Sequence, residues 1–299
     1  MLGIHVKKVS SVLEPPNRDR KTIAEAIEVD CSVLGLDSVQ VFSHGPRNHN
    51  RNFSEKDMRD IRKLSKKVCV SVHSSYPSVA IWKLTHVNKG SVVSKRIINH
   101  IRDQLECCVK MGAVGLVVHI SRKTIDVIRE AMEVVEPVIK EIGVPIWLEM
   151  ISSRAHEDLT YETPKKINRL VKALENIDPN VWGLCVDTAH VWGSGTDIST
   201  YVQMEAWFTD LSCSARKKIS IFHLNGSSSD MGSGKDKHEI AFCDSDQIYR
   251  GYKAGPGGSG VRSIIKYCAP RHIPVILEIN RGLEADAVAC IDIIAAMEK

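Results

Sequence analysis

The chain of 299 residues contains no apolar run near the roughly 20 residues that span a bilayer, which argues against a transmembrane segment. Its N-terminus, MLGIHVKKVS, has no hydrophobic stretch ahead of a cleavage site, so no secretory signal is expected. No CxxC motif occurs and nine cysteines is an odd number, which favours free thiols in a reducing compartment. The net charge of +4 is too small to demonstrate a polyanionic partner. We therefore expect an intracellular protein, cytoplasmic or nuclear, that is neither secreted nor membrane-bound.

Short apolar runs alternate with helical patterns along the chain, and neither an internal repeat nor a long linker interrupts them. This alternation predicts a parallel α/β sheet, and its eight units favour one domain over residues 1–299, a closed (β/α)8 TIM barrel. An open doubly wound sheet is the alternative. The predicted strands are Leu2–Val6, Ser38–Ser43, Val68–Val72, Gly115–Val118, Pro145–Leu148, Gly183–Val186, Ile219–Phe222 and Ile273–Leu277.

Three of the predicted helical segments carry specific expectations. Pro137 lies inside the pattern Thr124–Ile142 and predicts a kink or an interruption there. Ser199–Cys213 predicts one continuous helix. The stretch Gly226–Gly260 is rich in glycine, serine and charge, so we expect only its part around Asp246–Tyr252 to be helical.

The stretch Trp182–Gly195, WGLCVDTAHVWGSG, combines a buried-strand pattern with two metal-ligand types. Asp187 ends the apolar run, and His190 follows three residues later. In α/β barrels, the carboxyl ends of the strands carry the chemistry, so these side chains are candidate ligands. An aspartate that caps a helix, beside a surface histidine, is the competing interpretation.

Other predicted strands end in the same way, on a histidine or a glutamate. These residues are His73, His119, Glu149, His223 and Glu278. One such ending carries no weight, but six of them, with Asp187, predict a site at one face of the barrel. Asp236 and His238 form a further ligand-like pair in the glycine-rich stretch GSGKDKHE. For that pair alone, a solvated disordered loop is the simpler interpretation.

Together these nine side chains are five imidazoles and four carboxylates, enough for a cluster of three zinc-type ions. Three divalent ions would exceed the charge of the carboxylates. Such a surplus suits a phosphate anion and would lower the pKa of a bound water. The alternative is a set of unrelated buried or capping residues, but so many ionisable groups at one face would be costly without a counter-charge.

The motifs around these residues resemble those of the endonuclease IV family (AP endonuclease family 2), which are zinc-dependent apurinic/apyrimidinic endonucleases. The matching segments are His73-Ser-Ser-Tyr76, His119, Glu149, Cys185-Val-Asp187-Thr-Ala-His190, Phe222-His223-Leu-Asn225, Gly232-Ser-Gly-Lys-Asp236-Lys-His238 and Leu277-Glu278. The stretches Val41–Arg47 and His190–Gly195 are most similar to copies carried by large DNA viruses, so a viral protein with a place in the virion is one implication.

The resemblance implies about three Zn²⁺ ions per chain and a role for each ligand. His73 and His119 would bind the first ion, and Glu149 would bridge it to the second. Asp187, His223 and Glu278 would complete the second site. The third would be held by His190, Asp236 and His238. Glu149 and Glu278 are the catalytic carboxylates in this scheme.

The family's reaction is hydrolysis of the phosphodiester 5′ to an abasic site in double-stranded DNA, which leaves a 3′-hydroxyl. The resemblance implies this activity, 3′-end trimming, and a monomeric enzyme of base excision repair. It also implies that Arg47 and Tyr76 enter the DNA stack. Three departures stand out: Pro77 replaces an inserting leucine, EIAFCDSDQIYRGY replaces a glycine-rich continuation after His238, and Gly255–Gly260 is an apparent insertion.

Two other classes of function compete with this one. A sugar isomerase or epimerase on a related barrel would need two metals, and it would leave His190, Asp236 and His238 without a role. A non-catalytic DNA-binding barrel would not be expected to keep all the ligands intact. The basic pairs Lys7-Lys8, Arg20-Lys21 and Lys165-Lys166 are interpreted as solvated surface and not as DNA contacts.

Overall fold

Eight parallel strands close into a barrel in the computed structural model, which describes residues 1–6, 22–45, 47, 49–120, 122–152, 159–252, 255–278 and 283–297. The described residues form ten strands, eight of which belong to the barrel. They are β1 Leu2–Val6, β2 Ser38–Phe42, β3 Cys69–His73, β4 Leu116–His119, β5 Ile146–Glu149, β6 Trp182–Asp187, β7 Ile219–His223, β8 Gly226–Ser227, β9 His238–Glu239 and β10 Val275–Leu277. Around the barrel the order is β1-β10-β7-β6-β5-β4-β3-β2, while β8 and β9 form a separate antiparallel pair. The predicted (β/α)8 barrel is confirmed, and the doubly wound alternative is wrong.

Helices follow most barrel strands and form the outer layer. They are α1 Ile23–Leu34, α2 Glu55–Leu64, α3 Val92–Met111, α4 Ile125–Ile142, α5 Pro164–Ala173, α6 Thr188–Gly193, α7 Tyr201–Asp210, α8 Cys213–Lys218, α9 Gly260–Cys268 and α10 Leu283–Met297. Short 3-10 helices lie at Tyr76–His86, Arg250–Tyr252, Pro256–Gly258 and Ala269–Arg271. Helix α2 begins with a capping box, because Ser54 Oγ accepts from the Asp57 N–H at 3.2 Å while Asp57 Oδ2 accepts from the Ser54 N–H at 2.9 Å.

The parallel register brings the ends of neighbouring strands to one edge of the barrel. Glu149 is the register partner of His119, and His223 is that of Asp187. Because strand side chains alternate, residues two positions earlier face the same side. Those residues form a buried cluster: Val117, Trp147, Cys185, Ile221 and Ile276. The candidate ligands therefore lie one layer above an apolar plug inside the barrel.

Two helix predictions differ from the structure. Helix α4 continues through Pro137, so the predicted interruption is wrong there. Its buried face on both sides of the proline packs into the core, and this packing outweighs the local preference. The predicted helix Ser199–Cys213 is confirmed as α7 but is shorter, ending at Asp210, and Ser212 then starts α8 by accepting a hydrogen bond from the Ala215 N–H at 3.1 Å.

The predicted helix around Asp246–Tyr252 is confirmed only in part. Only Arg250–Tyr252 is helical, and it is a single 3-10 turn. The Asp246 carboxylate accepts hydrogen bonds from the main-chain N–H groups of Ile248 and Tyr249 at 2.8 and 3.0 Å. An N-cap aspartate binds the same two N–H groups, but this carboxylate also accepts from those of Ser227 and Phe242, which ties the segment to β8, and only a 3-10 turn follows.

All nine cysteines lie in the described part of the chain, and none of them is in a disulfide there. Among the described residues, no helix combines the length and the apolar character needed to cross a bilayer. The basic pairs Lys7-Lys8 and Arg20-Lys21 lie outside the described residues. Lys165 and Lys166 lie in the first turn of α5, and Lys166 Nζ donates to Thr160 Oγ1 at 3.4 Å.

Candidate metal centre

All nine predicted ligands come together at the carboxyl ends of the barrel strands. For eight of them, all except Asp236, the ligand atoms lie within 4.8 Å of one another in three sets. The sets are His73, His119 and Glu149; Glu149, Asp187, His223 and Glu278; and Asp187, His190 and His238. A further set joins Cys185 to Glu149 and His223. Burial raises the pKa of the Cys185 thiol, so this side chain is a neutral and poor ligand.

Glu149 lies at the centre and faces two of these sets with different oxygens. Its Oε2 is 3.2 Å from His73 Nε2 and 2.9 Å from His119 Nε2, whereas its Oε1 is 3.2 Å from His223 Nδ1. Burial tends to raise the pKa of Glu149, but the His119 and His223 rings hold it well below its ordinary value. An ionised carboxylate with its oxygens on opposite sides has the geometry to bridge two cations.

Asp187 caps α6 with one oxygen and faces the other candidate ligands with the second, and His190 is buried, not at the surface. Asp187 Oδ1 accepts a hydrogen bond from the His190 N–H at 3.0 Å and so caps α6. Its Oδ2 lies 3.5 Å from His238 Nε2 and accepts from Asn225 Nδ2 at 2.7 Å. The cap holds the first turn of α6, and this places the His190 ring beside the carboxylate.

Asp236 and His238 approach His190 from the segment after β7. Asp236 Oδ1 is 2.9 Å from His238 Nε2 and 3.4 Å from His190 Nε2. Burial tends to lower the pKa of His238, but Asp187, Asp236 and Glu278 together raise it to about 9. The simpler interpretation, a solvated pair in a disordered loop, does not describe this geometry.

The histidine rings are oriented as zinc ligands would be. His73 Nδ1 donates to the carbonyl of Ser74 at 2.8 Å, and His190 Nδ1 donates to the carbonyl of Met150 at 2.7 Å. Each bond leaves Nε2 of the same ring directed toward the carboxylates. Ligand histidines in metalloproteins are typically fixed by a hydrogen bond of this kind, so the residues fit a zinc cluster.

Three polar residues belong to the site although their role was not predicted. His5 Nδ1 lies 3.2 Å from Glu278 Oε1, and Gln40 Nε2 donates to the same oxygen at 2.9 Å. Asn225 donates through Nδ2 to Asp187 and accepts from the Glu278 N–H at 3.2 Å. Polar residues within the apolar strand runs LGIHV and SVQVF are the sequence signal for His5 and Gln40, because their side chains face the barrel interior.

Comparisons with known proteins show the family to which this chain belongs. The family described as a xylose isomerase-like TIM barrel matches residues 30–251. A probable AP endonuclease of African swine fever virus (isolate Tick/South Africa/Pretoriuskop Pr4/1996) is 32% identical over 251 residues, covering 82% of this chain and 79% of the viral protein. The chain belongs to the endonuclease IV family. The crystal structure of AsfvAP:AG is similar at 27% identity with a TM-score of 0.83, covering 100% of this chain and 99% of that chain. Endonuclease IV from Thermus thermophilus shares the fold, at 19% identity with a TM-score of 0.67 over 99% of this chain and 98% of that chain.

The two residues predicted to contact DNA lie at the rim of this endonuclease IV site. Arg47 and Tyr76 both line a cavity of about 310 Å³ together with seven of the nine candidate ligands, all except Asp187 and His223. Tyr76 is 46% exposed, and its ring packs edge-on against His119 with centroids 5.8 Å apart. Pro77, which replaces the family's inserting leucine, lies at the start of the 3-10 helix. Contact of these residues with DNA stays a prediction.

Proposed function

We propose that this chain is a zinc-dependent apurinic/apyrimidinic endonuclease that hydrolyses the phosphodiester 5′ to an abasic site. The products would carry a 3′-hydroxyl, and blocked 3′ ends would also be trimmed. The observation that carries this proposal is the joining of eight ligand-type side chains into three sets at the mouth of the barrel, with the ninth, Asp236, 2.9 Å from His238 Nε2. A single hydrolytic zinc needs only three or four such groups.

Three ions would be held, with Asp187 assigned to the second and Asp236 added to His190 and His238 at the third. His73, His119 and Glu149 form the first site, and Glu149 is shared with the second. Asp187, His223 and Glu278 complete the second site, and His190, Asp236 and His238 form the third. Bound zinc would lower the pKa of a water toward neutrality and stabilise the leaving oxygen.

The catalytic carboxylates Glu149 and Glu278 would act as anions and not as proton carriers. Burial tends to raise the pKa of Glu278, but His223, with Nδ1 3.2 Å from Oε2, and His5 hold it well below its ordinary value. Glu149 behaves in the same way. Both carboxylates are therefore charged at neutral pH, and they would hold cations beside the scissile phosphate.

The third ligand set favours this function over a sugar isomerase. Asp236 Oδ1 lies 3.4 Å from His190 Nε2 and 2.9 Å from His238 Nε2, and a two-metal isomerase would give these three residues no role. A non-catalytic DNA-binding barrel would need none of the ligands. The single domain, the monomeric state and the intracellular location stay predictions.

A metal count combined with a nicking assay tests the proposal. We expect the purified protein to contain about three zinc ions per chain and to nick an abasic duplex on its 5′ side. Chelation should abolish nicking, Zn²⁺ should restore it, and Mg²⁺ alone should not, because imidazoles suit zinc better than a hard cation. An undamaged duplex is the substrate control. Active protein with one ion or none would refute the trinuclear site, and no incision by zinc-loaded protein would refute the enzyme.

A further inference from the structure

The segment that carries Asp236 and His238 is a loop closed by the short sheet of β8 and β9. Ser227 in β8 is the register partner of His238 in β9. On the Asp236 side, this loop is tied to α6 because Gly232 N–H and Gly234 N–H donate to the carbonyls of Trp192 and Gly193 at 3.0 and 2.8 Å. A separate set of contacts holds the part of the loop that carries His238. These contacts come from the stretch after His238, EIAFCDSDQIYRGY, which departs from the family pattern.

Asp246 lies in that stretch, and its side chain is fully buried. Oδ1 accepts hydrogen bonds from the N–H groups of Ser227 and Ile248 at 3.1 and 2.8 Å. Oδ2 accepts from those of Phe242 and Tyr249 at 2.9 and 3.0 Å. An ionised carboxylate has about four acceptor positions and no donor, so these four main-chain bonds saturate it.

The carboxylate packs directly against the back of β8. A Cβ at Gly226 would lie 2.7 Å from Asp246 Cγ, so only glycine allows this approach. Gln247 N–H also donates to the Ser227 carbonyl at 2.6 Å. The bond from Phe242 holds that residue at φ 67°, a conformation that side chains with a Cβ rarely adopt. Asp246 thus offsets local strain and joins β8 to residues 242–249.

We propose that Asp246 is a positioning residue for the third metal site, which it serves by fixing the β8–β9 sheet so that His238 faces Asp187 and Asp236. The inference rests on the proposed zinc cluster, since it concerns the ligands of one of its three ions. It also identifies the function of residues 239–250: they replace a glycine-rich continuation with a buried carboxylate. The sites built on the ends of β3, β4 and β5 do not depend on Asp246.

Asp246→Asn separates positioning from general support. The amide keeps the size of the side chain but turns an NH₂ group toward two N–H donors, so β8 or the turn must move. We expect one of the three zinc ions to bind about 10- to 100-fold more weakly in a chelator competition, while the other two bind as in the wild type. Asp230→Asn, at an exposed position of the same loop, should keep all three affinities.

A second measurement needs no variant. Hydrogen exchange of the metal-free wild type should show protected amides at Phe242, Ile248 and Tyr249, because the carboxylate binds them without metal. Protection that develops only after zinc is added would overturn the proposal, since the ion would then organise the loop. Three unchanged affinities in Asp246→Asn would also overturn it and leave the enzymatic proposal intact. Fewer than three ions in the wild type would refute the trinuclear site itself, and this inference with it.

Discussion

Gln40 Nε2 donates a hydrogen bond to Glu278 Oε1 at 2.9 Å, across a sequence separation of 238 residues. The oxygen of the same amide accepts from His223 Nε2 at 3.0 Å. The ring of His223 therefore presents Nδ1 to the site, and this atom lies 3.2 Å from Glu278 Oε2. One buried amide thus sets both the tautomer of a histidine and the orientation of a carboxylate that belong to the same ligand set.

Replacing this amide should weaken the centre without removing a ligand. In Gln40→Leu, His223 loses its partner at Nε2 and Glu278 loses a donor, so we expect zinc affinity and kcat to fall by about 10- to 100-fold. KM for abasic DNA should change little, because phosphate contacts lie elsewhere. Chelator competition and nicking kinetics measure the two effects. Wild-type values in a variant of lower melting temperature would show that Gln40 only supports the fold.

Glu278 is the predicted ligand whose charge is easiest to test. Glu278→Gln keeps the shape but removes the negative charge, so incision should fall by orders of magnitude. Binding to an abasic duplex should persist in a gel-shift assay because phosphate contacts dominate affinity. Glu175→Gln, at an exposed position after α5, is the matched control. Near wild-type incision by Glu278→Gln would contradict its role in the second metal site.

Sequence patterns predicted the barrel because each strand run is short, apolar and separated from the next by a helical pattern. They also predicted that the candidate ligands meet, because the parallel register brings strand ends such as His119 and Glu149 to one edge. Where they failed, a tertiary contact decided the outcome. Helix α4 continues through Pro137 because its buried face packs into the core on both sides of the proline, and the segment after Asp246 forms only a 3-10 turn because the carboxylate is also bonded to Ser227 and Phe242.

The polar residues that contact the candidate ligands were harder to predict than the candidate ligands themselves. His5 and Gln40 lie on β1 and β2, far in sequence from Glu278, and only barrel closure brings β1 next to β10. The partners of an isolated polar residue within an apolar strand cannot be identified before the strand order is known. Asn225 belongs to the motif Phe222-His223-Leu-Asn225, but its hydrogen bond to Asp187 depends on the turn after β7.

The burial of Glu162 should make the stability of the fold depend on pH, independently of the candidate metal centre. Its carboxyl is fully buried, and burial raises its pKa from 4.5 to about 7, an effect that Thr160, Lys166 and Ser194 offset only in part. Between those pH values the folded state keeps a proton that the unfolded state has released, so stability falls as pH rises through this window. The loss should reach about 3 kcal/mol near pH 8, at about 1.4 kcal/mol per pKa unit.

Denaturant unfolding of the wild type and Glu162→Gln across this range tests that expectation. The variant keeps a neutral side chain of similar shape, so its free energy of unfolding should lack this loss between pH 4.5 and pH 8. The difference between the two proteins should therefore grow with pH in favour of the variant. A constant difference would mean that Glu162 has the same pKa in the folded and unfolded states.

Arg47 and Tyr76 are the residues that we expect to select the lesion. A metal cluster at a barrel mouth cannot reach a phosphate in undistorted B-form DNA, and an abasic nucleotide is cheaper to extrude than a paired one. Something must then fill the gap in the stack. Both residues line the cavity at the metal centre, and they offer a cation for the minor groove and a flat ring for stacking.

The double variant Arg47→Ala with Tyr76→Ala should lose its preference for abasic over undamaged duplex while keeping its zinc content. Trimming of blocked 3′ ends, which requires less distortion, should fall less than incision. The control is Arg59→Ala, which removes an exposed arginine from α2 and should change neither activity. The measurement is the ratio of the incision rate to the trimming rate on matched duplexes. A fall in this ratio would support a role for the two side chains in lesion selection. An equal loss on both substrates would mean that these side chains support the fold or general DNA binding, because a residue that fills the gap matters only where the stack is opened.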